Sequence, residues 1–292
     1  MRTVLLIGGD GQLGSDLRRC WATDCPDDRL VCLTHADIEV ANQASVRAAL
    51  DRHRPVIVIN TAAYHRVDVV ERDPERAFRV NAVGPRHLAV ACRDADAVLV
   101  HFSTDYVFSG RARRPYEEDE GPDALNVYGA SKAAGEMLLR HAWWRHFIVR
   151  TSGLYGRAGS SGKGGNFVET MLRLAATGEE IRVVDDQVLT PTHAASLAVQ
   201  VARLVGTDAY GTYHATCQGE CSWYEFAVEI FRQAGLAPVL RAQKTAESGA
   251  AAPRPPYSVL RNRRLQDIGL DLMPRWEDAL SAYLAARRPA PA

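Results

Sequence analysis

Val4-Leu5-Leu6-Ile7-Gly8-Gly9-Asp10-Gly11-Gln12-Leu13-Gly14 opens the chain, an apolar run that ends in a glycine-rich turn and passes into a helical pattern over residues 13–20. In this strand-turn-helix order the backbone N–H groups at the helix start can face a pyrophosphate with no side chain in the way. Two spacings fit. Gly9, Gly11 and Gly14 match G-x-G-x-x-G, and Gly8, Gly11 and Gly14 match the G-x-x-G-x-x-G variant. Either match alone is only moderately specific, and a tight turn without a ligand is the plain alternative; the position at the end of a strand favours the nucleotide reading.

Outward from this turn, apolar strands alternate with helical patterns. Residues 3–7, 30–33, 56–59 and 97–102 read as strands, and 13–20, 45–53 and 76–93 as helices. Strand then helix, repeated, builds a parallel sheet covered on both faces, and such strands are continuous apolar runs like Val56-Ile57-Val58-Ile59. The pattern predicts an α/β fold, a Rossmann-type doubly wound parallel sheet over residues 1–150, followed by a smaller, mostly helical part over 151–292 with some segments returning to the first domain. In that second part, helices are predicted at 167–176, 194–205, 223–234 and 276–286, and short strands near 181–184 and 212–214. The glycine-rich stretch 153–165 is costly to order and predicts a mobile loop, residues 246–256 a long loop, and 288–292 a disordered tail.

Composition narrows the function. With 292 residues and 47% hydrophobic content the chain can fill a large core. Its 35 basic and 35 acidic residues cancel, so whole-chain charge makes no case for nucleic acid or an anionic membrane as partner. Only Met1, Arg2 and Thr3 precede the first apolar run, too few for a secretory leader, and no run approaches the ~18 apolar residues of a membrane span. These features predict a cytoplasmic protein with reduced thiols. Cys217 and Cys221 lack a second ligand pair at zinc spacing, so no metal site is predicted and they read as buried or incidental thiols. The acidic run Glu117-Glu118-Asp119-Glu120 reads as a solvated loop.

The chemistry enters with Tyr128 and Lys132 in Asn126-Val-Tyr-Gly-Ala-Ser-Lys132. Four residues apart on a helix, they share one face. A phenol titrates near pH ~10, and an adjacent ammonium would favour its ionised form and so fit it for proton transfer at neutral pH. Such pairs are also common on solvated helix faces, so the pair gains weight only from the glycine turn and the parallel sheet.

Together these features make the chain resemble the extended short-chain dehydrogenase/reductase superfamily, and within it the dTDP-4-dehydrorhamnose reductase family. The likeness spans nearly the whole chain: Gly11-Gln-Leu-Gly14, Asn60-Thr-Ala-Ala-Tyr64, Val67-Asp68, Asn81, His101-Phe-Ser-Thr-Asp-Tyr-Val-Phe108, Asn126 to Lys132, Arg150-Thr151, Gly165-Asn-Phe167, Pro191-Thr192, Ser222-Trp-Tyr224 and Arg254-Pro255. Residues 101–108 are the most specific. Related sugar-nucleotide dehydratases carry Thr-Asp-Glu there, because elimination needs both an acid and a base. Thr104-Asp105-Tyr106 lacks the Glu, which argues against elimination and leaves reduction or epimerisation.

The resemblance implies NADPH-dependent reduction of the C4 ketone of a nucleotide-linked 6-deoxy-4-keto-hexose, with Tyr128 as proton donor, Lys132 lowering the Tyr128 pKa and hydrogen-bonding the nicotinamide ribose, and Thr104 holding the carbonyl oxygen. It further implies dinucleotide contacts from Gly8, Gly11, Gln12 and Leu13 at the pyrophosphate, Asp37 and Ile38 at the adenine, Ala62, Ala63 and Tyr64 at the ribose and phosphates, and Ser103 beside the nicotinamide. Val67, Asp105, Tyr106, Asn166 and Arg254 would meet the sugar or nucleotide. The stretch Thr34-His35-Ala36-Asp37 leaves NADP(H) against NAD(H) open, and NADP(H) follows from the family alone. Two departures stand out. Gly153 replaces the Trp common in these reductases, which predicts a wider pocket and leaves the sugar open; and Thr192-His-Ala-Ala-Ser196 offers no carboxylate for the metal-bridged dimer of some members. A monomer or homodimer is expected, and a superfamily epimerase or a non-catalytic NADP-binding regulatory subunit are the alternatives.

Overall fold

The computed structural model describes residues 1–158 and 165–287; the centre of the predicted mobile loop and the predicted tail lie outside them. The elements run β1 (Thr3–Ile7), α1 (Gln12–Asp24), β2 (Arg29–Leu33), α2 (Gln43–His53), β3 (Ile57–Asn60), α3 (Val67–Val70), α4 (Pro74–Phe78), α5 (Gly84–Asp94), β4 (Val98–Thr104), α6 (Val127–Ala142) and β5 (His146–Thr151). There follow β6 (Leu154–Tyr155), α7 (Phe167–Ala175), β7 (Ile181–Val184), β8 (Val188–Leu189), β9 (Thr192–His193), α8 (Ala194–Leu204), β10 (Gly211–His214), β11 (Cys221–Ser222), α9 (Trp223–Ala234), β12 (Leu240–Gln243), α10 (Arg263–Asp267) and α11 (Trp276–Arg287).

The central sheet has six strands in the order β10-β5-β4-β3-β1-β2, and every neighbouring pair is parallel. Strand side chains alternate between two apolar layers. Val4, Leu6, Ile57, Ile59, Val100 and Val149 join one layer with Leu17 and Trp21 of α1 and Leu197 and Val201 of α8. Leu5, Ile7, Val58, Leu99 and Ile148 join the other with Val46 and Leu50 of α2, Leu88 of α5 and Leu139 of α6. Burial on both faces is why these strands read as unbroken apolar runs. The first layer continues without a break into Val168, Phe226, Ile230, Trp276 and Tyr283, so the elements after β5 share a core with the sheet.

The chain leaves β1 for β2 on one side and returns through β3 on the other. In an open α/β sheet that reversal places the ligand crevice beyond the carboxyl ends of β1 and β3. Several expectations change here. The strand at 212–214, read as part of the C-terminal half, is β10 and pairs with β5 at the edge of the main sheet. The helix expected over 76–93 is α4 and α5 joined by a π-helical turn, Arg79–Val83. Pro85 lacks the N–H that would bond the Asn81 carbonyl, which interrupts the regular ladder at that point. The acidic run is not a solvated loop: Glu118 is buried and accepts from the His214 and Arg264 backbone N–H groups, Glu117 pairs with Arg261 and Arg263, and Glu120 with Arg114. Distant arginines neutralise charges that repel along the chain. Among the described residues no helix is long and apolar enough to cross a membrane.

Candidate active site

The glycine turn leaves β1 beside the end of β3. Thr61 donates its hydroxyl to the Ile7 carbonyl at 2.8 Å, lashing the two strand ends together. At Gly14 the first turn of α1 rides directly on this loop. A Cβ there would lie 2.0 Å from the Gly8 carbonyl oxygen and 2.8 Å from the Gly9 Cα. Both are backbone atoms and neither can yield. Gly14→Ala should therefore cost about 1–3 kcal/mol of stability, as overpacking does, and thermal denaturation reads it.

At the far wall of the crevice, β4 ends in Ser103 and Thr104 and α6 carries Tyr128 and Lys132. Asn126 caps α6 by accepting from the Gly129 N–H at 2.8 Å, and the Glu71 carboxylate accepts from the Val127 N–H at 2.9 Å. A Cβ at Gly129 would fall 2.0 Å from the Tyr106 carbonyl oxygen, so only glycine lets the helix seat its first turn against the Asp105–Val107 turn. That close seating turns Tyr128 toward the end of β4 and sets the Tyr106 and Tyr128 rings edge to face at 6.0 Å.

Asp105 lies behind this pair and is buried. Its carboxylate accepts from three hydroxyls, Thr104 at 2.9 Å, Ser152 at 2.8 Å and Ser258 at 2.6 Å. Burial pushes its carboxyl above the usual range, against the pull of those hydrogen bonds. It orients Thr104 and ties the end of β4 to the 258 segment. Tyr128 itself is pushed up, by burial first and by Asp105 second, with the Thr104 hydrogen bond opposing. The expected lowering by Lys132 is not what sets the phenol here, because the lysine turns the other way. Lys132 is fully buried; its Nζ donates to the Phe102 carbonyl at 2.6 Å and lies 3.1 Å from His101 Nε2. Burial pulls Lys132 down to about 8, while Glu136 one turn along works against that.

Fit to a dinucleotide rests on buried acceptors and hydroxyls in need of a partner. Gln12 spends its amide N–H on the Leu154 carbonyl, and its buried Oε1 has no partner among the described residues; the same holds for the Ser103 and Thr151 hydroxyls at the ends of β4 and β5. With the open glycine turn, such groups suit a ligand rich in donors and acceptors. Tyr64 has its backbone N–H and carbonyl both held by the Asn81 amide, at 2.8 Å each, which fixes the Ala62-Ala63-Tyr64 segment beside the crevice.

Other expected residues have internal employment. Asp37 turns back to accept from the Thr34 N–H and hydroxyl, both at 2.8 Å, and Ile38 is core. Asn166 caps α7 through the Glu169 N–H and donates to the Gly156 carbonyl and the Tyr283 hydroxyl. Leu13 is buried in the sheet layer, and Val67 begins α3 half-buried. Arg254 pairs with Asp68 at 2.8 Å and its charge reaches Tyr106, while the neighbouring Pro253 carbonyl accepts from Asn126. Gly153 has φ +53°, and a Cβ there would meet Leu189 Cδ1 at 2.7 Å and the Pro191 Cα at 3.1 Å. The missing Trp does not open space on that side; Leu189 and Pro191 fill it.

His101, Asn60, Ser152 and Ser258 carry parts of the site for which sequence reading assigned no role. A polar residue inside an otherwise apolar strand, such as His101 in β4, was the available signal.

The spore coat polysaccharide biosynthesis protein SpsK of Bacillus subtilis (strain 168) is 41% identical over 288 residues, covering 98% of each chain. The dTDP-4-dehydrorhamnose reductase of Streptomyces griseus is 41% identical over 293 residues, covering 97% of this chain and 93% of its own. The crystal structure of dTDP-4-dehydrorhamnose reductase from Bacillus anthracis str. Ames, in complex with NADP, superposes with a TM-score of 0.93 at 39% identity, covering 98% and 99% of the two chains. The model of the RmlD substrate binding domain family matches residues 1–288, and with the reductase likeness reaching from the glycine turn through Tyr128 to α11, the chain belongs to that family.

Proposed function

We propose that this protein is a cytoplasmic, NADPH-dependent reductase acting on the C4 ketone of a nucleotide-linked 6-deoxy-4-keto-hexose, with dTDP-4-dehydro-L-rhamnose as substrate and dTDP-L-rhamnose as product. The observation that carries the reading is that α6 sets Tyr128 beside Tyr106 and Lys132 on the Phe102 carbonyl, so that both flank the end of β4 that carries Ser103 and Thr104, opposite the glycine turn. Residues 1–150 hold the dinucleotide and 151–292 contribute most of the substrate wall. Bound NADPH supplies a hydride to the ketone carbon. Tyr128, whose raised pKa keeps its proton through neutral pH, gives that proton to the developing alkoxide. Thr104 would turn its O–H from Asp105 onto the same oxygen and hold it in place. Gly8, Gly11 and Gln12 would hold the pyrophosphate, Ser103 the nicotinamide and Lys132 its ribose.

The test is NADPH consumption by the purified chain with dTDP-4-dehydro-L-rhamnose and with other 4-keto sugar nucleotides, with the C4 configuration of each product determined. Turnover of none of them, with NADPH bound, would refute the assignment. Arg254 offers a separate check on the substrate wall, because a guanidinium there can meet a diphosphate as it now meets Asp68. Arg254→Ala should raise KM for the nucleotide sugar about tenfold, the loss of one charge-assisted hydrogen bond, with NADPH affinity unchanged. An unchanged KM would remove Arg254 from the substrate wall.

A further inference from the structure

β3 and β4 place Asn60 and His101 as direct partners across the sheet. Asn60 Nδ2 lies 3.0 Å from His101 Nδ1, and Asn60 Oδ1 accepts from the Ala62 N–H at 3.1 Å. The Ala62 N–H decides which end of the amide faces the ring, because turning the amide over would set two donors against each other. Asn60 therefore donates to Nδ1. In a neutral imidazole the proton is then on Nε2, and Nε2 faces Lys132 Nζ at 3.1 Å. An ammonium has no lone pair to accept it. A neutral amine does, and can still donate to the Phe102 carbonyl. Only a neutral lysine satisfies every contact in the row.

We infer that His101, its tautomer set by Asn60, holds Lys132 as a neutral amine whenever the lysine rests against it, and that dinucleotide binding draws Lys132 off His101 and loads it with one proton from solvent. His101 and Asn60 are thus positioning residues that act through Lys132. The inference rests on the proposed role of Lys132 at the ribose. The surrounding groups agree with it. His101 is fully enclosed, and burial keeps the imidazole well below its ordinary titration range, so it is neutral. Burial depresses Lys132 as well. Glu136, the carboxylate that opposes this, is committed to Arg150 through two hydrogen bonds, at 2.9 and 2.7 Å. On the crevice side stand Tyr128, pushed up and uncharged, with Thr104 and Asp105 behind it. The proton balance is simple: one proton leaves the buffer and one amine becomes an ammonium, with nothing oxidised or reduced.

The experiment is calorimetric titration of the full chain with NADPH at pH 9, in two buffers of different ionisation heat. Phosphate groups, with a second pKa of about 6, exchange no protons at that pH. A lysine rising from about 8 toward its ordinary value of about 10.4 should take up about 0.9 proton per NADPH. Histidine nitrogen NMR of the unliganded wild type should show His101 protonated at Nε2, the signal being assigned by its loss in His101→Gln. Asn60→Asp supplies two acceptors, for the Ala62 N–H and for Nδ1–H, so it should move the His101 proton to Nδ1 and reduce the uptake at pH 9 to below about 0.2. NADPH binding without proton uptake, or a wild-type His101 protonated at Nδ1, overturns this inference alone. Absence of NADPH binding overturns the cofactor assignment, and this inference falls with it.

Discussion

Tyr128→Phe is expected to lower kcat by about 10²–10⁴-fold, the contribution typical of a positioned general acid, while NADPH affinity stays within about twofold. The substitution removes one oxygen and leaves the ring, so the edge-to-face packing on Tyr106 and the seating of α6 on the 105–107 turn persist. What disappears is the phenolic proton. Burial and the Asp105 carboxyl both hold the phenol in its protonated form, which is the form a reduction consumes. Steady-state rates and dinucleotide titration on the same preparation separate chemistry from binding. A variant with more than about a tenth of wild-type kcat would remove Tyr128 as the acid, given the size of that contribution.

The fold was legible because its strands obey one rule. Val4 to Ile7 and Ile57 to Ile59 are apolar at every position, as strands buried on both faces must be, and glycines mark where the first one turns. β5 escaped notice for the opposite reason. It carries His146, Arg150 and Thr151, yet all six residues are buried. Arg150 is tolerated because Glu136, on a preceding helix, meets it, and no local pattern announces such a partner. β10 was read as a strand and a return of some segments to the first domain was expected, but which segment returns was not legible, since pairing with β5 depends on the path of the intervening chain.

The site divides in the same way. Tyr128 and Lys132 were visible as a helical pair, and the glycine turn as a spacing. The direction in which Lys132 points was not, because His101 and the Phe102 carbonyl come from another element. The supports for Thr104 were equally hidden: Ser152 and Ser258 lie 47 and 153 residues from Asp105 in the chain. Spacing rules see neighbours within a helix or strand. The hydroxyls and amides that orient catalytic groups come from wherever the fold has space.

Glu136 joins the stability of this fold to its chemistry. It forms a two-pronged ion pair with Arg150, both side chains about 1% exposed or less, and Arg150 also meets His214 Nε2 at 3.3 Å. Glu136→Ala would strand a guanidinium inside the protein, with an expected loss of about 3–5 kcal/mol. For a chain of this size that lowers Tm by on the order of 10 °C in a thermal scan. The penalty comes from the unpaired charge rather than from the pair's own strength, so Glu136→Leu combined with Arg150→Met should recover most of it. Recovery of stability should not restore the original pH dependence. Glu136 is the group that holds the Lys132 pKa up, and without it burial acts unopposed. Lys132 then gives up its proton at lower pH, and the alkaline limb of kcat/KM should move below its wild-type position in the double variant. A double variant restored in Tm with an unshifted limb would mean that the ion pair serves packing alone.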